Sequence, residues 1–231
     1  MTISIVIPTW NEAANIEQQL QHLSQLESPS LLKEILLIDG GSTDETVAIA
    51  KNMGATVHIS PKKGRACQMN YGAKLAKGDI LYFVHADVQP PKSCLENILT
   101  SIQDQKCIGC FAYNFKSKSR LLKMNAFFTQ FDWMTNGGGD QTLFILKERF
   151  EELGGFDEQL PIMEDFEFVW RAKKRKYTMH LVKKRALVSA RKYEQNSYLK
   201  VQLVNAFTFL AFRWGVSPQK LANWYRKQLF K

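Results

Sequence analysis

Gly78-Asp79-Ile80-Leu81-Tyr82-Phe83-Val84-His85-Ala86-Asp87 decides the fold. Its middle is an apolar, β-branched and aromatic run of strand length, stopped by a histidine and a carboxylate before Pro90-Pro91 rules out further strand. A parallel α/β sheet delivers charged groups to its carboxyl edge in this way, and ligands of open sheets bind just beyond that edge. Asp87 is therefore placed for chemistry more than for structure.

Working back from this stretch, residues 2–7 read as a buried first strand ending at Pro8-Thr9-Trp10-Asn11-Glu12. Asn11 is expected to open a helix, with Ile16, Leu20, Leu23 and Leu26 at helical spacing, and Ser28-Pro29-Ser30 breaks it. A second buried strand, residues 34–38, runs into Asp39-Gly40-Gly41-Ser42-Thr43-Asp44, where Ser42 or Thr43 can cap a helix continuing to Asn52. A short third strand, residues 55–60, leads to the basic turn Pro61-Lys62-Lys63-Gly64-Arg65. Its cations and the free N–H groups of the following helix suit a phosphate, and a solvated charged loop suits the same residues equally well. Working forward, residues 91–102 form a helix and residues 107–115 a strand. Strand followed by helix, four times over, specifies a parallel sheet covered on both faces.

The bulk properties fit one large domain. A chain of 231 residues with 45% apolar content buries a substantial core. Thirty-one Lys and Arg against 22 Asp and Glu give a net charge of +9, which favours anionic partners such as nucleotide diphosphates, anionic lipid surfaces or nucleic acid, and charge alone does not choose among them. The first residues lack a basic leader and carry an apolar stretch of strand length only, so the sequence predicts a cytoplasmic protein, free or at the inner face of a membrane. Cys67, Cys94, Cys107 and Cys110 are few and irregularly spaced, so reduced thiols are expected. Cys107-x-x-Cys110 has no second ligand pair at zinc spacing and lies in a strand.

Several of these motifs, in order and spacing, resemble family 2 glycosyltransferases of the GT-A fold. They are Pro8-Thr9-Trp10-Asn11-Glu12, Asp39-Gly40-Gly41-Ser42-Thr43-Asp44, the Gly64-Arg65 turn and His85-Ala86-Asp87, then Gly137-Gly138-Gly139-Asp140-Gln141, Gly154-Gly155-Phe156-Asp157 and Met163-Glu164-Asp165. Within that family, Gly64-Arg65-Ala66-x-Gln68-Met69-Asn70, His85-Ala86-Asp87 and Ser189-Ala190-Arg191 look most like a small bacterial subgroup. The resemblance implies an α/β fold with a mostly parallel central sheet flanked by helices. Residues 1–195 would form the transferase domain, with 1–90 as the nucleotide-binding half and 91–195 as the acceptor and catalytic half, and residues 196–231 a helical C-terminal extension.

It also implies sugar transfer from a nucleoside-diphosphate sugar, a UDP-sugar being favoured, with inversion. Pro8, Thr9, Gly41, Gly64, Arg65, His85 and Ala86 would line the nucleotide site, Glu12 would hold the ribose, Asp39 the uracil edge, and Asp44 would orient its turn or Arg65. Asp87 would anchor Mn²⁺ or Mg²⁺ and the diphosphate, since both cations accept one or two carboxylates plus phosphate oxygens. The family commonly presents Asp-x-Asp; here His85 stands in the first position, where contact or packing is favoured over ligation. Asp165, beside Glu164, would be the base that takes the acceptor proton, and the alternative is acidic complementarity to a helix N-terminus. Gly139, Asp140 and Gln141 would line the sugar and acceptor side, and Arg191 would hold the diphosphate. A rival of another class is a non-catalytic nucleotide-sugar or anionic-membrane binding protein on the same fold.

Partners beyond the donor follow from charge and apolar pattern. Residues 171–185 are strongly basic, but no helix-turn-helix, zinc module or RNA-binding strand accompanies them, so no nucleic acid partner is expected and anionic lipid is preferred. A short strand is expected at residues 177–182. Residues 199–215 are apolar almost all round yet too short and interrupted for a membrane span. A helix packed on the core, an interfacial helix on a bilayer and a homodimer contact remain the three readings. The second would favour a lipid-linked acceptor, and the cluster Phe127, Phe128, Phe131 and Trp133 belongs with that surface or with an apolar acceptor groove.

Overall fold

The computed structural model describes residues 1–102, 106–131 and 141–230. In chain order the elements are β1 (Ile3–Thr9), α1 (Ala13–Leu23), β2 (Leu32–Asp39), α2 (Thr46–Asn52), β3 (Thr56–Ile59), α3 (Arg65–Leu75), β4 (Ile80–Phe83), β5 (Val88–Gln89) and α4 (Cys94–Ser101). They continue with β6 (Cys107–Phe115), α5 (Arg120–Phe128), β7 (Leu143–Leu146), α6 (Lys147–Leu153), α7 (Glu164–Lys174), β8 (Thr178–Val188), α8 (Arg191–Glu194), α9 (Tyr198–Arg213) and α10 (Pro218–Leu229).

The strands form one sheet in the order β3-β2-β1-β4-β7-β6-β8-β5. β1, β2, β3 and β4 pair in parallel; the apolar runs of β1 and β4 are buried along their whole length, and β3 is a partly exposed edge strand. β7 is inserted antiparallel between β4 and β6, and β6 pairs in parallel with β8. The consequence is that β1, β2, β3, β4, β6 and β8 all end at one edge of the sheet, and β7 begins there. Apolar clusters fill both faces, one around Ile5, Tyr82, Phe111 and Phe144, the other around Val6, Met69, Phe83 and Phe168.

The strand within residues 78–87 stops before its histidine as the sequence predicts, and three other local expectations are corrected. β4 stops at Phe83; the chain turns through His85, whose carbonyl accepts from the Val88 amide at 3.1 Å, and the short β5 pairs antiparallel with the end of β8. α1 begins at Ala13, because Asn11 takes a left-handed conformation with φ 54° and does not cap it. Neither Ser42 nor Thr43 caps α2, which starts at Thr46; the Ser42 hydroxyl turns back to Asp39. The strand expected at 177–182 extends to Val188, its exposed Lys183, Lys184 and Arg185 concealing a partner strand along the whole of β6. Cys107 and Cys110 lie three residues apart on β6, so they face opposite sides of the sheet and cannot share a metal. All four cysteines are buried.

Candidate active site

The shared strand edge gathers the candidate residues into three groups, and α3 ties them together. The first group is the pair of turns after β1 and β2. Asp39 is 1% exposed, and its carboxylate accepts from the amides of Gly41 and Ser42, both at 2.8 Å, from the Ser42 hydroxyl at 2.5 Å and from the Thr9 hydroxyl at 3.3 Å. Four donors occupy about all the lone-pair sites that a carboxylate offers. Asp39 therefore shapes its loop, and a base N–H could reach it only by displacing a hydroxyl. Gly41 serves the same turn at φ 89°. Asn11 joins the two turns, its amide donating to the Ser42 hydroxyl and its side-chain carbonyl accepting from the Thr43 amide, both at 2.9 Å.

Asp44 completes this group. It accepts from the Ala13 amide at 3.1 Å and from the amide and hydroxyl of Thr46. These bonds, the Thr46 hydroxyl foremost, hold its carboxyl below the usual value of 3.8. Of its two expected roles, these bonds serve the turn. Glu12 accepts from Asn15 at 2.6 Å and faces the Arg191 guanidinium at 3.6 Å, so the end of β1 meets the segment after β8.

In the second group, His85, Ala86 and Asp87 follow β4, with Ala86 buried and the other two half-buried. Asp87 lies beside a cavity of about 100 Å³ that is also lined by Gln18, Gln19, Lys116 and Ser189. Its carbonyl accepts from the Ser189 amide at 3.1 Å. Burial lowers the Lys116 ammonium below its ordinary pKa, and the Asp87 carboxylate opposes that shift. Sequence reasoning missed Lys116. The signal available was a cation immediately after a strand that ends at the same edge as β4. Gln141, 6% exposed, precedes β7, whose antiparallel register sets Leu143 against Phe83 and brings Gln141 to the end of the sheet where His85 stands. Gly139 and Asp140 lie outside the described residues, as does Trp133.

Among the described residues no three His, Cys, Asp or Glu side chains converge as a metal cluster. A single half-buried carboxylate at a strand end still fits a hard cation that takes its remaining ligands from diphosphate oxygens. The donor set thus fits Mg²⁺ or Mn²⁺ with a nucleotide present.

The third group stands at the N-terminus of α7. Met163, at φ 69°, turns the chain so that Glu164 and Asp165 occupy the first turn, where the helix dipole favours acids. Both are buried, at 1% and 6% exposure, and both pair with Arg65: its Nε with Glu164, its Nη2 with Asp165 at 3.3 Å. Among the described residues, the buried Glu164 Oε2 meets no hydrogen-bond donor. Arg65 opens α3 directly after Gly64, whose φ of 121° is accessible to glycine. From the same helix, buried Gln68 donates to the Thr9 and Ile38 carbonyls, both at 2.7 Å, pinning the ends of β1 and β2. Asn70 brackets Phe156, accepting from its amide and donating to its carbonyl at 2.9 Å each. Gln68 and Asn70 stand in a quoted motif, but their partners lie too far along the chain to be read from it.

Solved structures share this architecture. The structure of the mannosyltransferase PcManGT from Pyrobaculum calidifontis in complex with GDP-Man and Mn²⁺ matches 90% of this chain and 61% of its own, with a TM-score of 0.71 at 17% identity. Glucosyl-3-phosphoglycerate synthase from Mycobacterium tuberculosis, with Mn²⁺, UDP and glucosyl-3-phosphoglycerate, matches 94% and 80% with a TM-score of 0.65 at 17% identity. Among curated sequences, an uncharacterized glycosyltransferase of Haemophilus influenzae is 27% identical over 182 residues, 72% of this chain and 60% of its own. The beta-monoglucosyldiacylglycerol synthase of Synechocystis is 25% identical over 190 residues, 73% of this chain and 40% of its own. A dolichyl N-acetyl-alpha-D-glucosaminyl phosphate 3-beta-D-2,3-diacetamido-2,3-dideoxy-beta-D-glucuronosyltransferase of Methanococcus voltae is 31% identical over 108 residues, 44% and 34% respectively. The chain thus spans between about a third and three fifths of the length of these curated relatives. The family model for glycosyl transferase family 2 matches residues 4–156, with the strand-end turns, α3 and the Gly154-Gly155-Phe156 loop inside it, and the chain belongs to that family.

Proposed function

We propose that the protein transfers a sugar from a nucleoside-diphosphate sugar, UDP-linked by preference, to an acceptor hydroxyl with inversion at the anomeric carbon. The observation that carries this reading is the gathering at one sheet edge of the Asp39 and Glu12 turns and Asp87, with α3 linking the strand ends to the Arg65-bound pair Glu164 and Asp165 at the start of α7. The turn after β2 supplies a rigid wall for the base and Glu12 a hydroxyl acceptor for the ribose. Arg191, held at the rim by Glu12, binds phosphate oxygens. Asp87 would hold the divalent cation, which supplies counter-charge to the departing diphosphate.

Asp165 takes the acceptor proton as the acceptor oxygen bonds to the anomeric carbon. The carbon–oxygen bond to the diphosphate breaks, and its electron pair leaves with the nucleotide. Arg65 orients the Asp165 carboxylate, and Glu164 holds Arg65. A lipid-linked hydroxyl is the acceptor class we favour, since two relatives carry diacylglycerol and dolichyl phosphate in their names.

Calorimetric titration with UDP, GDP and their sugar conjugates, with Mn²⁺ and then with chelator, tests the donor site. Binding of one nucleoside diphosphate that weakens on chelation and in Asp87→Asn is expected. Asp165→Asn should keep that binding and lose turnover by about 10²-fold or more. Absence of binding by any of these nucleotides, with or without metal, overturns the reading. Donor binding with no transfer from the wild-type chain to any lipid or sugar hydroxyl favours the non-catalytic rival.

A further inference from the structure

α5 and α9 each bury one stripe and leave a second apolar stripe in water. α5 buries Leu122 and Ala126 while Leu121, Met124, Phe127 and Phe128 stand about half exposed. Phe127 packs on Phe128 and Phe131 at ring separations of 5.8 and 5.4 Å, which makes the exposed aromatics one surface. α9 buries Val201, Val204, Thr208 and Ala211, yet Leu203 is 61% exposed and Trp214 80%, with Phe207 and Leu210 between them. Of the three readings of this helix, the core-packed one accounts for one side, where Phe209 and Phe212 meet Trp170 of α7; Phe207 packs on Trp224 of α10 at 4.6 Å, while Leu203, Leu210 and Trp214 remain about half exposed or more. The two helices start at one place. Leu122 and Tyr198 line a common cavity of about 250 Å³, with Tyr193 between them and Glu194 among its polar lining.

Charge identifies what fits this surface. Residues 106–131 contain five Lys or Arg and no Asp or Glu; residues 195–231 contain six and again no acid. At the chain's average of 22 acids in 231 residues, these 63 positions would hold about six. Lys118, Arg120 and Lys123 are exposed around α5, and Arg213, Lys220 and Arg226 around α9 and α10. A second copy of the chain would bring like charges together across such a face, whereas an anionic bilayer satisfies both the apolar stripes and the cations. No helix among the described residues is long and apolar enough to cross a membrane, so the contact is with the surface of the bilayer.

We infer that α5 and α9 form a docking face for an anionic lipid surface, with their apolar side chains entering the headgroup boundary and the basic residues meeting lipid phosphates. This deepens the acceptor side of the proposed transfer. Its test uses neither donor nor turnover, so either reading can fail alone.

Full-length protein is sedimented with phosphatidylcholine vesicles and with vesicles containing about 30% phosphatidylglycerol, at low and high salt, while analytical ultracentrifugation follows self-association. Preferential binding to the anionic vesicles, weakened by salt, is expected. The variant Phe128→Ser, Leu203→Gln, Trp214→Ser should partition at least about thirtyfold less, the order expected when three large side chains no longer leave water. Its unchanged circular dichroism and urea midpoint show that it folds; should it not fold, Lys118→Gln with Lys123→Gln gives the same reading through charge alone. Failure of the wild-type chain to bind anionic vesicles, or equal binding by the folded variants, overturns the inference. So does a dimer that dissociates in the variant without any vesicle binding.

Discussion

Replacing Arg65 by Met removes the guanidinium that pairs with both Glu164 and Asp165 in the first turn of α7. The guanidinium contacts Glu164 through Nε and Asp165 at 3.3 Å through Nη2, while the two acid side chains are 1% and 9% exposed. Removing one partner of a fully buried ion pair costs about 3–5 kcal/mol, because a charge is left desolvated. Arg65 is itself 40% exposed, and solvent screening reduces that figure by roughly half, to about 2 kcal/mol. Urea unfolding followed by circular dichroism should show a lower midpoint at unchanged slope. Glu164→Gln in the Arg65→Met background should recover part of the loss, since one unpaired charge disappears, giving a coupling of about 1–2 kcal/mol in the double-mutant cycle. A stability change of Arg65→Met below about 0.5 kcal/mol, or additivity of the two substitutions within that margin, would refute the assignment of Arg65 as the counter-ion of this pair.

Gly155 sits at φ +69°, and a Cβ there would meet the Asn70 carbonyl oxygen at 2.7 Å, so Gly155→Ala should destabilise by about 1–3 kcal/mol in the same urea assay and loosen the bond that ties α3 to the Phe156 loop. A variant as stable as wild type would show that the loop does not depend on this contact. Asp44, held below 3.8 by the Thr46 hydroxyl and neighbouring amides, contributes stability that is complete above the unfolded value and disappears as pH falls through the lower folded one. The gap in urea midpoint between wild type and Asp44→Asn should therefore be constant above about pH 5 and close below about pH 4. A gap that widens on acidification would contradict the hydrogen-bonded state of this carboxylate.

Much of the molecule was legible residue by residue. The apolar runs of β1, β2, β4 and β6 announce strands buried on both faces, and the acids that end them announce the working edge, because both signals are local. β8 was half read, since the exposed run Lys183-Lys184-Arg185, where the register with β6 shifts, looks like loop until β6 is laid alongside. The exposed stripe of α9 was equally hidden: an all-round apolar helix has no face until a neighbour covers one.

The sequence by itself determined the order of strand and helix, the family motifs and the acids available for chemistry, because periodicity and turn-forming residues act over a few positions. Tertiary structure alone decided that Asp39 is saturated by its loop together with Thr9 of β1, that Arg65 holds Glu164 and Asp165 about a hundred positions away, and that Gln68 and Asn70 fasten the strand ends and the Phe156 loop to α3. A buried polar group must find its partner wherever the fold closes the chain on itself, and that distance in space leaves no mark on distance in sequence.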